Sequence, residues 1–302
     1  MISQTTRLMF LLAATGAFPL AAAQAAPATS TETSVEEKSL DPEYKAARDL
    51  IKANEGEESL RKGFRMMLAA AENGYIPAIA GVAYLYNIGM GTPKDNAAAA
   101  KWFRLAAEKE HAISQYNLGK LLVADEIPLP EGSVDRKTQH DEGVEWIRKA
   151  ADQGVNEARA SYGIILFRGD FEMKRDPAAA AGYLKPAAEA GNLEAMNTLG
   201  LMYRTGNGVT RDPSASERLL RRAAMAGHVK AQANLGEHLN PLSQNPDQRI
   251  EALAWLFVAE ASEDPVAKKL LAVKTNAIPL DDVAAGKKKA AEIKQKIKEE
   301  KK

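Results

Sequence analysis

Four histidines, His111, His140, His228 and His238, are the residues of this 302-residue chain best suited to acid-base or metal chemistry. A zinc site built from His228, Glu237 and His238 would need the chain to fold back on itself, and no third strong ligand stands at a suitable spacing. Three fragments, Ser59-Leu60-Arg61-Lys62, Ser243-Gln244-Asn245 and Arg204-Thr205-Gly206, loosely match serine-hydrolase motifs. The last two occur in the wrong chain order, and the third should lie on a strand. With no cysteine and no glycine-serine elbow, no other nucleophile pairing is available. Gly206-Asn207-Gly208 could cradle a phosphate only after a strand and ahead of a helix, with a lysine beside it. It closes a helix-like run instead, where glycine accepts the left-handed conformation that ends a helix. No catalytic residue, cofactor site or metal site is therefore expected.

The elements that would position these groups are set by an internal repeat. "AAENG" at 70–74, "AAEKE" at 106–110, "AADQG" at 150–154, "AAEAG" at 187–191, "AAMAG" at 223–227 and "AEASE" at 259–263 end at intervals of 36, 44, 37, 36 and 36 residues. A period of that size means a solenoid of helix pairs. Eight residues before each end stand Met66, Trp102, Trp146, Tyr183, Leu219 and Trp255; nine residues after stand Ala83, Gly119, Gly163, Gly200, Gly236 and Ala272. Glycine inside a helix costs about 1 kcal/mol relative to alanine, so its recurrence calls for close approach of a neighbouring helix. The bulky residue at the earlier position is expected to fill the space between paired helices. Asp41-Pro42, Asp176-Pro177, Asp212-Pro213 and Asp264-Pro265 read as helix starts, with aspartate as cap and proline where no donor is needed.

Lysine plus arginine equals aspartate plus glutamate, so no electrostatic footprint for nucleic acid stands out. Residues 1–25, with Arg7, an apolar run from Leu8 to about Leu20 and small residues after it, have the form of an export signal peptide. Residues 26–40 are polar and read as a disordered lead-in. Residues 41–74 form a degenerate first helix pair, 75–273 the repeats proper, and 274–302 a capping helix with a lysine-rich tail, which could touch a membrane surface weakly. The second repeat carries eight extra residues within 124–141, where Pro128, Pro130 and Gly132 would make a protruding loop.

"EAMNTLGLMYRTGNGVTRDPSASERLLRRAAMAG", together with "SQYNLGKLL", "EARASYGIILFRGD" and "IPAIAGVAYLYNIGMGTPKDNAAAAKWFRLAAEKE", resembles the Sel1-like repeat family, relatives of tetratricopeptide repeats. That resemblance implies an all-α fold, a right-handed α/α superhelical solenoid of antiparallel helix pairs, and a binding scaffold or adaptor rather than an enzyme. In such a solenoid the first helix of each pair lines the concave face. Residues off its core stripe are then the candidates for partner binding: Tyr84, Asn87, Tyr116, Asn117, Lys120, Ser161, Phe167, Asn197, Thr198, Arg204, Asn234 and Glu237. Their mix of amides, charges and aromatics suits an extended peptide or a partner's helix. The expectation is a periplasmic scaffold for another envelope protein, with no cofactor and no nucleic acid. A cell-wall or glycan binder, and a metal-dependent or serine hydrolase, stand as alternatives.

Overall fold

The structure is a computed structural model that describes residues 41–127 and 135–300. The signal segment 1–25, the lead-in 26–40, Pro128, Pro130 and Gly132 of the insertion, and the last two lysines lie outside the described residues. Among the described residues there are fourteen α-helices, two short 3-10 turns and no strand. The fold is an all-α helical repeat solenoid. Its helices are α1 (Pro42–Ala53), α2 (Glu57–Glu72), α3 (Ile76–Ile88), α4 (Asn96–Ala107), α5 (Ala112–Val123), α6 (Arg136–Asp152), α7 (Asn156–Arg168), α8 (Pro177–Glu189), α9 (Leu193–Thr205), α10 (Pro213–Met225), α11 (Val229–His238), α12 (Pro246–Glu260), α13 (Pro265–Lys274) and α14 (Leu280–Glu299). The described residues divide into two compact units, one up to Lys149 and one from Ala150.

In the second unit the repeat has a plain physical basis. α7 packs on α8, α9 on α10 and α11 on α12, each pair through its glycine. A Cβ on Gly163 would stand 2.7 Å from Leu184 Cγ, one on Gly200 2.9 Å from Leu220 Cγ, and one on Gly236 2.7 Å from Leu256 Cγ. The leucine occupies the volume that a side chain would need, and Leu184, Leu220 and Leu256 are fully buried. In the first unit Gly119 receives Ile147 in the same way.

The residue that fills the seam is thus seven positions before the ladder end, one later than the sequence pattern suggests. One residue is a 100° turn of a helix, which moves the side chain to another face. The bulky residues eight positions before serve contacts between successive pairs. Trp102 packs against the cores on both sides of it, and the Tyr183 hydroxyl donates to Asp152 of the preceding pair at 2.8 Å, while its ring meets Tyr162 of its own pair edge-on at 4.9 Å.

Helix starts follow the caps. Asp41, Asp176, Asp212 and Asp264 accept the backbone N–H three residues on at 2.8–2.9 Å, with proline at the first helical position. Helix ends follow the glycines: Gly89 and Gly206 are left-handed at φ 71° and 74° and close α3 and α9. The second glycine of each turn has a different task. A Cβ on Gly91 would lie 2.3 Å from the Leu60 carbonyl oxygen, and one on Gly208 2.3 Å from that of Pro177, so the turn can press on the preceding helix only as glycine.

The inserted stretch is not all loop. α6 begins at Arg136, so its first turn absorbs part of the extra residues and it runs to 17 residues against 12 for α4. Asp135 caps it by accepting from the Thr138 N–H at 2.8 Å, and the buried Gln139 amide donates to the Leu122 carbonyl at 3.1 Å. In the second unit α14 packs on α12: Gly286 admits Leu253, Ala290, Ile293 and Ile297 are buried, and Arg249 pairs with Asp282.

Candidate functional site

The face of the first helix of each pair is described unit by unit. In the first unit it comes from α3 and α5. Tyr84 is largely buried in the core, because its position has turned inward off the stripe edge, and it borders a hollow at the end of α3 instead of the open face. Asn87 is half-buried and donates from Nδ2 to Asn96 Oδ1 at 3.0 Å; Asn96 in turn donates to Glu126 Oε2 at 2.9 Å. Tyr116 and Asn117 are half-buried on α5, and exposed Lys120 stands with its Nζ 5.4 Å from the Tyr116 ring centroid.

In the second unit the face comes from α7, α9 and α11. Ser161 and Phe167 on α7 are half-buried, and the Arg175 guanidinium covers the Phe167 ring at 6.0 Å. Asn197 and Thr198 are buried, against the expectation of an accessible strip. The reason is the contact between α9 and α11: Asn234 Nδ2 donates to Asn197 Oδ1 at 2.7 Å, and Arg204 donates to Glu237 Oε2 at 2.6 Å. Four candidates are therefore brought together, but as partners of one another across adjacent repeats. Asn234, Arg204 and Glu237 keep one side in solvent and are held in place by these bonds.

The histidines have structural work. His111 and His228 are N-caps of α5 and α11, their Nδ1 atoms accepting from the N–H of Ser114 at 3.3 Å and of Ala231 at 3.1 Å. A ring nitrogen that accepts must be unprotonated, and burial lowers the pKa of His111 accordingly. His228 turns Nε2 to Glu194, and this hydrogen bond, with Lys230 nearby, holds the Glu194 carboxyl down to about 2. His238 sits at the far end of α11, about 15 Å along the helix from its start, with Nδ1 3.4 Å from Ser216 Oγ. The zinc grouping of His228, Glu237 and His238 does not form, and no group of three or more ligating side chains occurs among the described residues. His140 meets Asp125 at 2.9 Å beside the insertion.

Among the hollows that flank the helix pairs are one of the first unit and one of the second. The larger, about 740 Å³, lies between the start of α2 and the end of α3, lined by Leu60, Tyr84, Ile88 and Met90, and its cation Arg61 is already paired with Glu57 at 2.6 Å. The other, about 460 Å³, lies between α8, α9 and α10 on the side of the second helices. Of the candidates on the first helices, Tyr84 borders the larger, and none borders the smaller. A pair of positions whose charge varies from copy to copy lies beside the smaller one, though alanine at the second of them also occurs as Ala98 and Ala179. Arg104 six residues before one ladder end pairs with Glu142, and Arg221 at the same position pairs with Glu251 at 2.5 Å, each carboxylate standing twelve residues before the next end. In the corresponding place between α8 and α10 stand Lys185 and Ala215.

Comparison with known proteins agrees with this architecture. The Sel1 repeat matches five consecutive segments, residues 76–111, 112–155, 156–192, 193–228 and 229–259. A Sel1 repeat protein from Oxalobacter formigenes has a similar structure, with a TM-score of 0.64 at 23% identity over 85% of this chain and 97% of that one. So has c5321, described as a protective antigen present in uropathogenic Escherichia coli strains and displaying an SLR fold, with a TM-score of 0.64 at 26% identity over 86% of this chain. This chain spans 55% of the length of c5321. Five registered copies of one helix pair, four of them closed by glycine against an aliphatic side chain, place this chain in the Sel1 repeat family.

Proposed function

We propose that this Sel1 repeat protein is a non-catalytic scaffold that acts in the periplasm and holds another envelope protein, or an extended peptide of one, against its helix pairs. The observation that carries the reading is the bonded face of α9 and α11. Asn197 with Asn234, and Arg204 with Glu237, fix amide and charged groups at the surface, so a partner meets side chains that have already lost their freedom. Preorganised polar groups beside half-buried aromatics such as Phe167 suit recognition of a protein segment. His111 and His228 spend their Nδ1 atoms on backbone N–H groups, a structural use of the two histidines that share a repeat position. The form of residues 1–25 supports export.

The test is in-cell photocrosslinking from Asn117 and Asn234, followed by identification of what is captured, with N-terminal sequencing of the periplasmic fraction. A discrete protein crosslinked from either position, on a chain that has lost its first segment, is the expected result. Retention on peptidoglycan with no protein captured would replace this reading with glycan binding. A chain that keeps its first 25 residues and stays in the cytoplasm would reject the location. Cosedimentation with anionic vesicles, compared for the natural chain and the exposed double reversal Lys294→Glu with Lys298→Glu, tests weak membrane contact by the C-terminal lysines.

A further inference from the structure

The junction between α8 and α10 lacks the ion pair found at two other junctions, and it carries charge without a partner. Between α4 and α6, and again between α10 and α12, an arginine and a glutamate at equivalent positions close the outer edge of the stack. Between α8 and α10 the glutamate position is Ala215, which has no group to offer Lys185. Arg218 and Arg222 stand one helical turn apart on the same side of α10. Lys185, Arg218 and Arg222 are all exposed, and none meets a carboxylate at ion-pair distance among the described residues. They ring the hollow of about 460 Å³, whose floor is apolar: Leu199 and Leu219, with the Tyr203 ring.

We infer that this hollow is a docking site for an acidic peptide segment that pairs carboxylates with the three cations and lays an apolar side chain on the floor. The inference rests on the scaffold reading and places the contact on the second helices of the repeats, away from the face that the sequence pattern nominates. Charge complementarity selects the occupant. Three unpaired cations attract carboxylates, and the arginines can bind them through two parallel hydrogen bonds. Glu189 at the same rim repels a dense anion such as phosphate, but can accept from the backbone N–H groups that alternate with side chains along a peptide. An apolar floor also favours a peptide over a phosphate chain, because a side chain gains from leaving water there.

The probe is a short fluorescein-labelled peptide alternating glutamate with leucine, read by anisotropy against the full mature chain at low and moderate salt. Two independent changes should weaken its binding about tenfold or more. One is the double reversal Lys185→Glu with Arg222→Glu. The other is Ala215→Glu, which installs the missing carboxylate, ties up Lys185 and fills the hollow. Lys294→Glu, an exposed reversal on α14, should leave binding unchanged. All these positions except Ala215 are exposed, and matching circular-dichroism melts establish that each variant is folded. No binding of the peptide, binding indifferent to both hollow variants, or equal loss in Lys294→Glu overturns the inference. So does binding of phosphatidylglycerol vesicles or inorganic phosphate, but not of the peptide, through the same cations. Photocrosslinking separates this from the broader reading. Capture of a protein from Asn234 or Asn117 that survives the hollow variants removes the hollow and keeps the scaffold, whereas no protein from these positions or from Leu219 removes the scaffold.

Discussion

Two junctions of the second unit share an interior and differ outside. Where α9 meets α10 and where α11 meets α12, a leucine fills the place of a glycine side chain, and the dimensions agree within a few tenths of an ångström. Outside, Arg221 is clasped by Glu217 and Glu251, while Lys185 one repeat earlier faces alanine. The difference separates two demands on one repeat. The seam is repeated because every copy must exclude water and fill its volume. The rim is free to vary because an exposed ion pair contributes little to stability, so a surface can lose its clamp without loss of the fold.

The largest expected effect breaks the seam. Leu220→Ala should cost about 2 to 5 kcal/mol in urea denaturation, as a buried leucine truncated in a packed core does. Leu219→Ala, one residue away and half-exposed, should cost less than about 1.5 kcal/mol. Equal costs would mean that the earlier bulky position, not the later one, fills the seam.

Next comes overfilling. Gly236→Ala would bring a methyl 2.9 Å from the Ala252 carbonyl oxygen, which is backbone and cannot turn aside. Gly200→Ala meets the Leu220 side chain first and has backbone only at 3.5 Å. Overpacking of about 1 to 3 kcal/mol is partly offset by about 1 kcal/mol of helix propensity, so Gly236→Ala should be the more destabilising of the two.

A smaller effect concerns the cap that joins two repeats. His228→Ala should cost about 1 kcal/mol through loss of the α11 cap. Its partner gives an acid-dependent share. Because the folded state holds the Glu194 carboxyl at about 2 against an ordinary 4.5, its contribution is complete above about pH 4.5 and is lost as pH falls toward 2. Glu194→Gln should therefore flatten the fall of the urea midpoint over that interval. Smallest of all is the rim: Arg221→Ala should cost up to about 1 kcal/mol and Lys185→Ala nothing measurable, since only the first has carboxylates to lose.

Much of the fold is legible in the residues. The alanine-rich ladder gives the helix-pair period, the Asp-Pro steps give the helix starts, and the paired glycines give the turns. What sequence spacing conceals is rotation about the helix axis. Trp102 and Phe103, or Leu219 and Leu220, are adjacent large residues, and only the neighbouring helix decides which of them turns into the seam. The same limit displaced Tyr84, Asn197 and Thr198 from the surface, since the edge of an apolar stripe is a few tens of degrees wide. Bonds such as Asn197 to Asn234 and Arg204 to Glu237 join residues more than thirty positions apart, and each member alone looks like any polar residue on a helix. His111 and His228 are a milder case: their shared position after the ladder end marks them as turn residues, and the structure adds that the ring itself is the cap.

The most direct test of the glycine-leucine seam is a double-mutant cycle in urea between Gly200→Ala and Leu220→Ala. In the natural background the added methyl should destabilise. In the Leu220→Ala background it should become neutral or stabilising, because it enters space the leucine has vacated, with a coupling of about 1 kcal/mol or more. Additive costs would show that Gly200 and Leu220 do not share that volume, and would contradict the packing proposed for the glycine-bearing pairs.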